Sequence, residues 1–324
     1  MKVCIYGAGA IGGWIGATLA GAGGDVSVVA RGATLAALRE HGLRMDAAGQ
    51  VSSHAVACSD RPDELGAQDL VVVAVKAPSL PEVARRIAPL LGPDTMVLTA
   101  MNGVPWWFLQ GFGGALAGTR LSSIDPDGAL AGAIPARHVI GCVVHANCSV
   151  SQPGLVRHHF GNRLIVGEPA GGQSARLRAL ASLLENAGFK TEVSAQIQKD
   201  IWFKLWGNMT LNPISALTGA TTDRIMGDEL VRGFISSVML EAKEIGARIG
   251  IDIDQQPEDR HQVTLKLGAF KTSMLQDVEA GRPVELDALV GAVRELGQFT
   301  GVATPFTDAL LGLARLQARV RGLY

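Results

Sequence analysis

Two groups of residues in this sequence have types and spacings that could do chemistry. Lys204, Asn208 and Asn212 recur at i, i+4 and i+8 in an apolar stretch that reads as a helix over 196–211, which stacks them along one helix face. If that face is partly buried, an ammonium and two amides need polar partners, and a bound polar substrate would supply them. If it faces water, it is the polar stripe of an amphipathic helix. The spacing leaves both open. The second group is the run Gly7-Ala8-Gly9-Ala10-Ile11-Gly12, which follows a short apolar strand and opens a small-residue helix. In that setting G-x-G-x-x-G is the phosphate turn of a dinucleotide-binding βαβ unit. Gly7 allows the tight turn, Gly9 lets a pyrophosphate approach the backbone, and Gly12 lets the helix pack close to the sheet. The helix N-terminus offers free N–H groups and a positive dipole end to the phosphates.

The elements around these groups follow from pattern. Lys2–Tyr6 reads as a buried parallel strand, a helix runs to about Ala22, and Asp25–Ala30 is the second strand. That strand ends Val28-Val29-Ala30-Arg31. An NAD enzyme usually places an acid there for the ribose 2′-hydroxyl. Arg31 instead offers a planar fork for a 2′-phosphate, which points to NADP(H). Asp69–Val75 and Thr95–Thr99 are further strands, followed by Lys76 and by Met101-Asn102-Gly103. Ligands of doubly wound sheets lie outside the carboxyl ends of the strands, so Lys76 and Asn102 are expected to face the cofactor. Val139–Val144 and Arg163–Val166 read as late strands, Ser174–Ala187 as a helix and Lys190–Val193 as a short strand. From about Gln196 the pattern is helical. The expectation is an α/β Rossmann-type N-terminal domain with a parallel doubly wound sheet, followed by an all-α C-terminal domain. Residues 1–170 form the NADP-binding domain, 171–196 a connecting helix and strand, and 197–324 the helical substrate domain. The Gly-rich, aromatic stretch from Pro105 to about Pro135, with Trp106, Trp107, Phe108 and Phe112, reads equally as a lid, an oligomer contact or a surface excursion packed on its own side chains.

Composition narrows the class. The chain has 324 residues, 48% hydrophobic and 18% charged, as suits a globular α/β enzyme and not a disordered chain. A formal net charge of −1 gives no overall basic field for nucleic acid or an anionic membrane. No apolar run reaches the ~18–20 residues of a spanning helix. Lys2 before an apolar stretch could mimic a signal peptide, but glycines interrupt that stretch throughout. Cys4, Cys58, Cys142 and Cys148 form no C-x-x-C pair, so the expectation is a reduced, cytoplasmic protein without a disulfide framework. Cys142, His145 and Cys148 lie close in sequence, and a strand with buried thiols is a better reading than a metal site. Ser273 and Glu285, on periodicity alone, are ordinary surface positions.

Taken with these, the whole chain resembles the ketopantoate reductase (2-dehydropantoate 2-reductase) family. The resemblance rests on the glycine run, Lys76 after a valine-rich strand, Asn102-Gly103, Lys204-Leu205-x-x-Asn208, Asn212-Pro213, Ser273-Met274-Leu275-Gln276-Asp277, and Glu285 with Asp287. It implies a cleft between the two domains and NADPH-dependent reduction of a 2-oxo acid, ketopantoate to pantoate in pantothenate and coenzyme A biosynthesis. By resemblance, Lys204 is the general acid, and Asn208 and Asn212 bind the hydroxyl end of the substrate. Ser273 meets the substrate carboxylate, and Glu285 lies near the nicotinamide ribose and the lysine. Asn102 touches cofactor and substrate, and Arg31, Lys76 and Ala146 bind the cofactor. Thr222 stands where some members carry a substrate-contacting Asn. A related reductase of another branched or aromatic 2-oxo acid, and a non-catalytic NADPH sensor, are the alternatives. The only partner implied is a small-molecule 2-oxo acid, and a homodimer stays open.

Overall fold

The computed structural model describes residues 1–324. The chain forms two units. One comprises Met1–Met101 and Gly128–Ile197, the other Asn102–Asp127 and Gln198–Tyr324.

The first unit is built on ten strands: β1 (Lys2–Tyr6), β2 (Asp25–Val29), β3 (Leu43–Ala47), β4 (Gln50–His54), β5 (Ala57–Ser59), β6 (Gln68–Val73), β7 (Leu91–Thr99), β8 (Val139–Gln152), β9 (Leu155–Gly167) and β10 (Lys190–Val193). Their order is β4-β3-β9-β8-β7-β6-β1-β2-β5, with β10 also pairing β9. From β5 to β8 every pairing is parallel. The central strands are apolar on both faces, as parallel strands covered on both sides must be; Leu70, Val71, Val72 and Val73 of β6 are fully buried. The sheet is mostly parallel and not wholly so, because β8–β9 and β3–β4 are antiparallel. β8 and β9 run well past the apolar stretches Val139–Val144 and Arg163–Val166. Their outer halves, with Ser149, Arg157 and His159, are polar, and an antiparallel hairpin tolerates one wet face. The short strands β3, β4 and β5 have no strong apolar alternation and were not expected. Ser174 caps the helix Ala175–Asn186 by accepting from the Leu177 N–H, and β10 joins the sheet beside β9, so 171–196 is part of the first unit.

The glycine loop is dictated by space. Gly7 ends β1 at φ +97°, and a Cβ on Gly12 would overlap the Gly7 carbonyl oxygen. The helix Ala10–Gly21 therefore sits against the loop only because Gly12 has no side chain. A Cβ on Gly9 would meet nothing within 4 Å. Gly9 is the N-cap, without a side-chain cap or an acid in the first turn. The helix start is left open for an anion. Behind it Trp14, Ile15 and Leu19 pack into the core with Val3, Ile5 and Val28.

The second unit centres on the helix Ile197–Thr218, whose Trp202 and Trp206 are buried. Their indole N–H groups donate to the Ala242 carbonyl at 3.3 Å and the Met239 carbonyl at 2.7 Å, on the helix Glu229–Arg248. Residues 102–127 also belong to this unit, contrary to a division at 170. Trp106, Trp107, Phe108, Leu109 and Phe112 are buried, with the Phe108 ring 5.9 Å from that of Trp202. The Gln198 amide donates to the Phe108 carbonyl at 3.4 Å. Glu295 accepts from the Ser122 and Ser123 N–H groups at 2.7 and 2.8 Å. The aromatic stretch is thus neither a lid nor a self-packed excursion. Its rings are part of the helical core.

Overpacking a tight contact costs about 1–3 kcal/mol. Gly12→Ala is expected to lose about that much in denaturant unfolding, whereas Gly9→Ala, with open space around it, should stay within about 0.5 kcal/mol of the parent.

Candidate active site

Within the second unit, the Lys204 ammonium donates to Asn102 Oδ1 at 2.8 Å, across 102 positions of sequence. Three features bring the pair together. Lys204 projects from the face of Ile197–Thr218 opposite Trp202 and Trp206, which hold the helix from behind. Asn102 is the first residue of the segment whose aromatic side chains are buried just after it. The peptide that follows is pinned: the Val104 N–H donates to the Ala288 carbonyl at 2.8 Å, and a Cβ on Gly103 would lie 2.5 Å from that same oxygen.

Ala288 belongs to the π-helical stretch Asp287–Gly291, a geometry that recurs at functional sites. Glu285, buried at 6% exposure, lies just before it. The C-terminal residues bracket this acid: the Val284 N–H donates to the Leu323 carbonyl at 3.1 Å, and the Tyr324 hydroxyl to Asp287 Oδ1 at 2.7 Å. Burial, then the Asp287 carboxylate, push the Tyr324 phenol above its usual range. The loop carrying Asn102 and the turn carrying Glu285 are therefore joined through one carbonyl.

Asn212 is buried and Lys204 and Asn208 are half-buried, so this face is not a solvated stripe. Neither the Asn208 nor the Asn212 amide has a hydrogen-bond partner within the chain. Neither amide is among the buried side-chain atoms left without a partner, so both reach solvent and are available to a polar ligand in place of water. The Ser273 hydroxyl likewise has no internal partner. It opens the helix Ser273–Glu279, but Thr272 supplies the cap, accepting from the Leu275 N–H at 3.2 Å. Thr222 is used structurally: its hydroxyl donates to the Gly268 carbonyl at 2.6 Å.

In the first unit, Gly7, Ala8, Gly9, Ala10, Ile11 and Gly12 form the open turn described above. Lys76 follows β6, half-buried, and Ala146 sits at a break in the β8–β9 register. Arg31 follows β2 by two residues and is exposed, with Glu82 2.5 Å from its guanidinium. Cys142 is buried in the core of the same unit, while His145 is exposed. Burial pushes the Cys148 thiol up to about 12.

Sequence reasoning missed Leu323 and Tyr324, which no local pattern marks. It also missed Arg260, whose guanidinium lies against Gly207, where a Cβ would come within 2.7 Å of Nε. Burial lowers the Arg260 pKa from its ordinary value, and its guanidinium sits 5.5 Å from the Phe203 ring centre. The available signal was Gly207 itself, since an interior helical glycine usually marks a close approach.

Comparison with known proteins agrees with this architecture. Residues 3–111 match the family described as ketopantoate reductase PanE/ApbA, and residues 196–318 match its C-terminal domain. The chain belongs to the ketopantoate reductase family. It is an oxidoreductase of a family that uses nicotinamide cofactors. A 2-dehydropantoate 2-reductase from Mesorhizobium japonicum is 48% identical over the full length of both chains. A solved structure from Ralstonia solanacearum, whose ketopantoate reductase designation is provisional, is 56% identical with a TM-score of 0.96, covering 100% of this chain and 99% of that one. A D-mandelate dehydrogenase solved with NADH and anilino(oxo)acetate shares the fold, at 21% identity and a TM-score of 0.86 over the whole of both chains.

Gly103→Ala forces Asn102 or the Glu285 turn to move. It is expected to lower kcat/KM by at least about tenfold, since misplacements of about 1 Å cost up to about a hundredfold. Steady-state kinetics, with circular dichroism to verify folding, checks this.

Proposed function

We propose that the chain reduces 2-dehydropantoate (ketopantoate) to pantoate with NADPH, on the route to pantothenate and coenzyme A. The observation that carries this reading is the Lys204–Asn102 hydrogen bond of 2.8 Å, flanked on the same helix by the unpartnered amides of Asn208 and Asn212.

When bound, a reduced nicotinamide supplies the hydride. The chain's own residues must then orient the ketone and provide a proton. An ammonium carries three donors. Asn102 accepts one of them at 2.8 Å, which fixes the orientation of the ammonium. As the ketone oxygen gains negative charge, Lys204 stabilises it by hydrogen bonding and delivers the proton. Asn208 and Asn212 offer donors and acceptors to the hydroxyl end of the substrate. The Ser273 hydroxyl serves its carboxylate, and Glu285 helps position the lysine. In the first unit the glycine turn takes the pyrophosphate on open backbone and a helix N-terminus. Arg31 meets the 2′-phosphate, and Lys76 and Ala146 complete the cofactor contacts. The 48% identity to a 2-dehydropantoate 2-reductase supports this substrate over other 2-oxo acids.

The test is a panel of branched and aromatic 2-oxo acids, followed by loss of reduced-nicotinamide absorbance with NADPH and NADH in parallel. The highest kcat/KM is expected for 2-dehydropantoate with NADPH; a higher value for another acid would move the substrate assignment there, and no turnover with any acid would leave a non-catalytic binder. Lys204→Ala is expected to lower kcat by about 10²–10⁴ while NADPH binding survives. An unchanged kcat would remove Lys204 from the chemistry.

A further inference from the structure

Three charged side chains meet beyond the carboxyl ends of β1, β2 and β5. Arg31 follows β2. Its Nη1 is 2.5 Å from Glu82 Oε2. Glu82 lies on the helix Leu80–Arg86, and its other oxygen is 3.4 Å from Arg86 Nη1. The Arg86 Nη2 donates to the Asp60 carbonyl at 2.5 Å, just past β5, the strand that pairs with β2. Tyr6, at the end of β1, feels all three: burial raises its pKa first, followed by the charges of Arg86 and Glu82, then Cys4, then Arg31. One carboxylate is therefore shared by two guanidiniums at the place where a dinucleotide-binding sheet receives the adenosine ribose.

We propose that Glu82 is a placeholder for the cofactor's 2′-phosphate, holding Arg31 and Arg86 in position, and that Arg86 is a second cation for that phosphate. This rests on the NADPH reading above. A phosphate monoester presents about two negative charges and three acceptor oxygens, enough to take both guanidiniums from Glu82. Before binding, the two cations are held at a fixed spacing and not splayed by repulsion. On binding, Glu82 must give up Arg31, so it opposes the phosphate as well as organising its site. Arg31 and Glu82 are both solvent-accessible, so their pair is weak and can be exchanged. The acid that NAD enzymes carry at the end of the second strand is absent here; this one comes from a different element and is already occupied by arginine.

The test is calorimetric titration of the full-length protein with NADPH, NADH and adenosine 2′,5′-bisphosphate, at low and moderate salt. Glu82→Gln is expected to tighten NADPH and the bisphosphate by about two- to fivefold, the range an exposed ion pair is worth, and to steepen their salt dependence while leaving NADH unchanged. Glu82→Asp, which retains the carboxylate, should stay near the parent. Arg86→Gln should weaken NADPH and the bisphosphate severalfold and spare NADH. If Arg31→Gln lowers the NADPH-to-NADH ratio but neither Glu82→Gln nor Arg86→Gln changes it, the NADPH reading stands and the placeholder is wrong. If Glu82→Gln weakens NADH, Glu82 is a ribose acceptor and the placeholder is again wrong. If the parent protein does not prefer NADPH and Arg31→Gln changes nothing, the NADPH reading itself fails.

Discussion

A single charge-assisted hydrogen bond, from Lys204 to Asn102 at 2.8 Å, is the contact around which the second unit is arranged. Hydrogen bonds to charged groups contribute about 1.5–3 kcal/mol, too little to order two distant segments by itself. The ordering comes from apolar burial behind it. Trp202 and Trp206 seat the lysine helix, and Trp106, Trp107, Phe108 and Phe112 seat the segment that starts at Asn102. Each large aromatic buries about 150–250 Å², so the core supplies the free energy and the hydrogen bond selects the geometry. The Val104–Ala288 link then extends the constraint to the turn with Glu285.

Much of this was legible in the sequence, for reasons that differ by residue. The glycine loop was legible because its constraint is local and steric: a turn at positive φ and a helix packed on a carbonyl leave glycine little competition. Lys204, Asn208 and Asn212 were legible as one face, because helical spacing alone sets that. Whether the face was wet or buried was not legible, because that depends on what packs around the helix. The aromatic stretch was misjudged for the same reason. Hydrophobic burial is non-directional, so the residues state that they will be buried but not against which partner. The outer halves of β8 and β9 carry too little apolar alternation to announce a strand. Leu323, Tyr324 and Glu82 act through contacts that only the folded chain creates.

The two units divide the electrostatic work. The first presents open backbone at Gly9 and two guanidiniums around one carboxylate, a set suited to phosphates. The second presents the Lys204 ammonium held by Asn102, the neutral amides of Asn208 and Asn212, and the buried acid Glu285, a set suited to a ketone oxygen and hydroxyl groups. The neutrality of Asn208 and Asn212 matters, because further cations beside Lys204 would repel its proton-bearing form. Asn102 holds the ammonium through an amide oxygen, which accepts the hydrogen bond and itself brings no charge.

The account therefore stands on Asn102 and Lys204 acting as one unit, and a double-mutant cycle on kcat/KM measures that directly. Asn102→Ala, Lys204→Ala and the double variant would be compared with the parent under the same conditions. The account predicts strong non-additivity, with Asn102→Ala costing at least about tenfold in the parent and almost nothing once Lys204 is gone. Additive losses would mean that Asn102 acts independently of the lysine, and would contradict the claim.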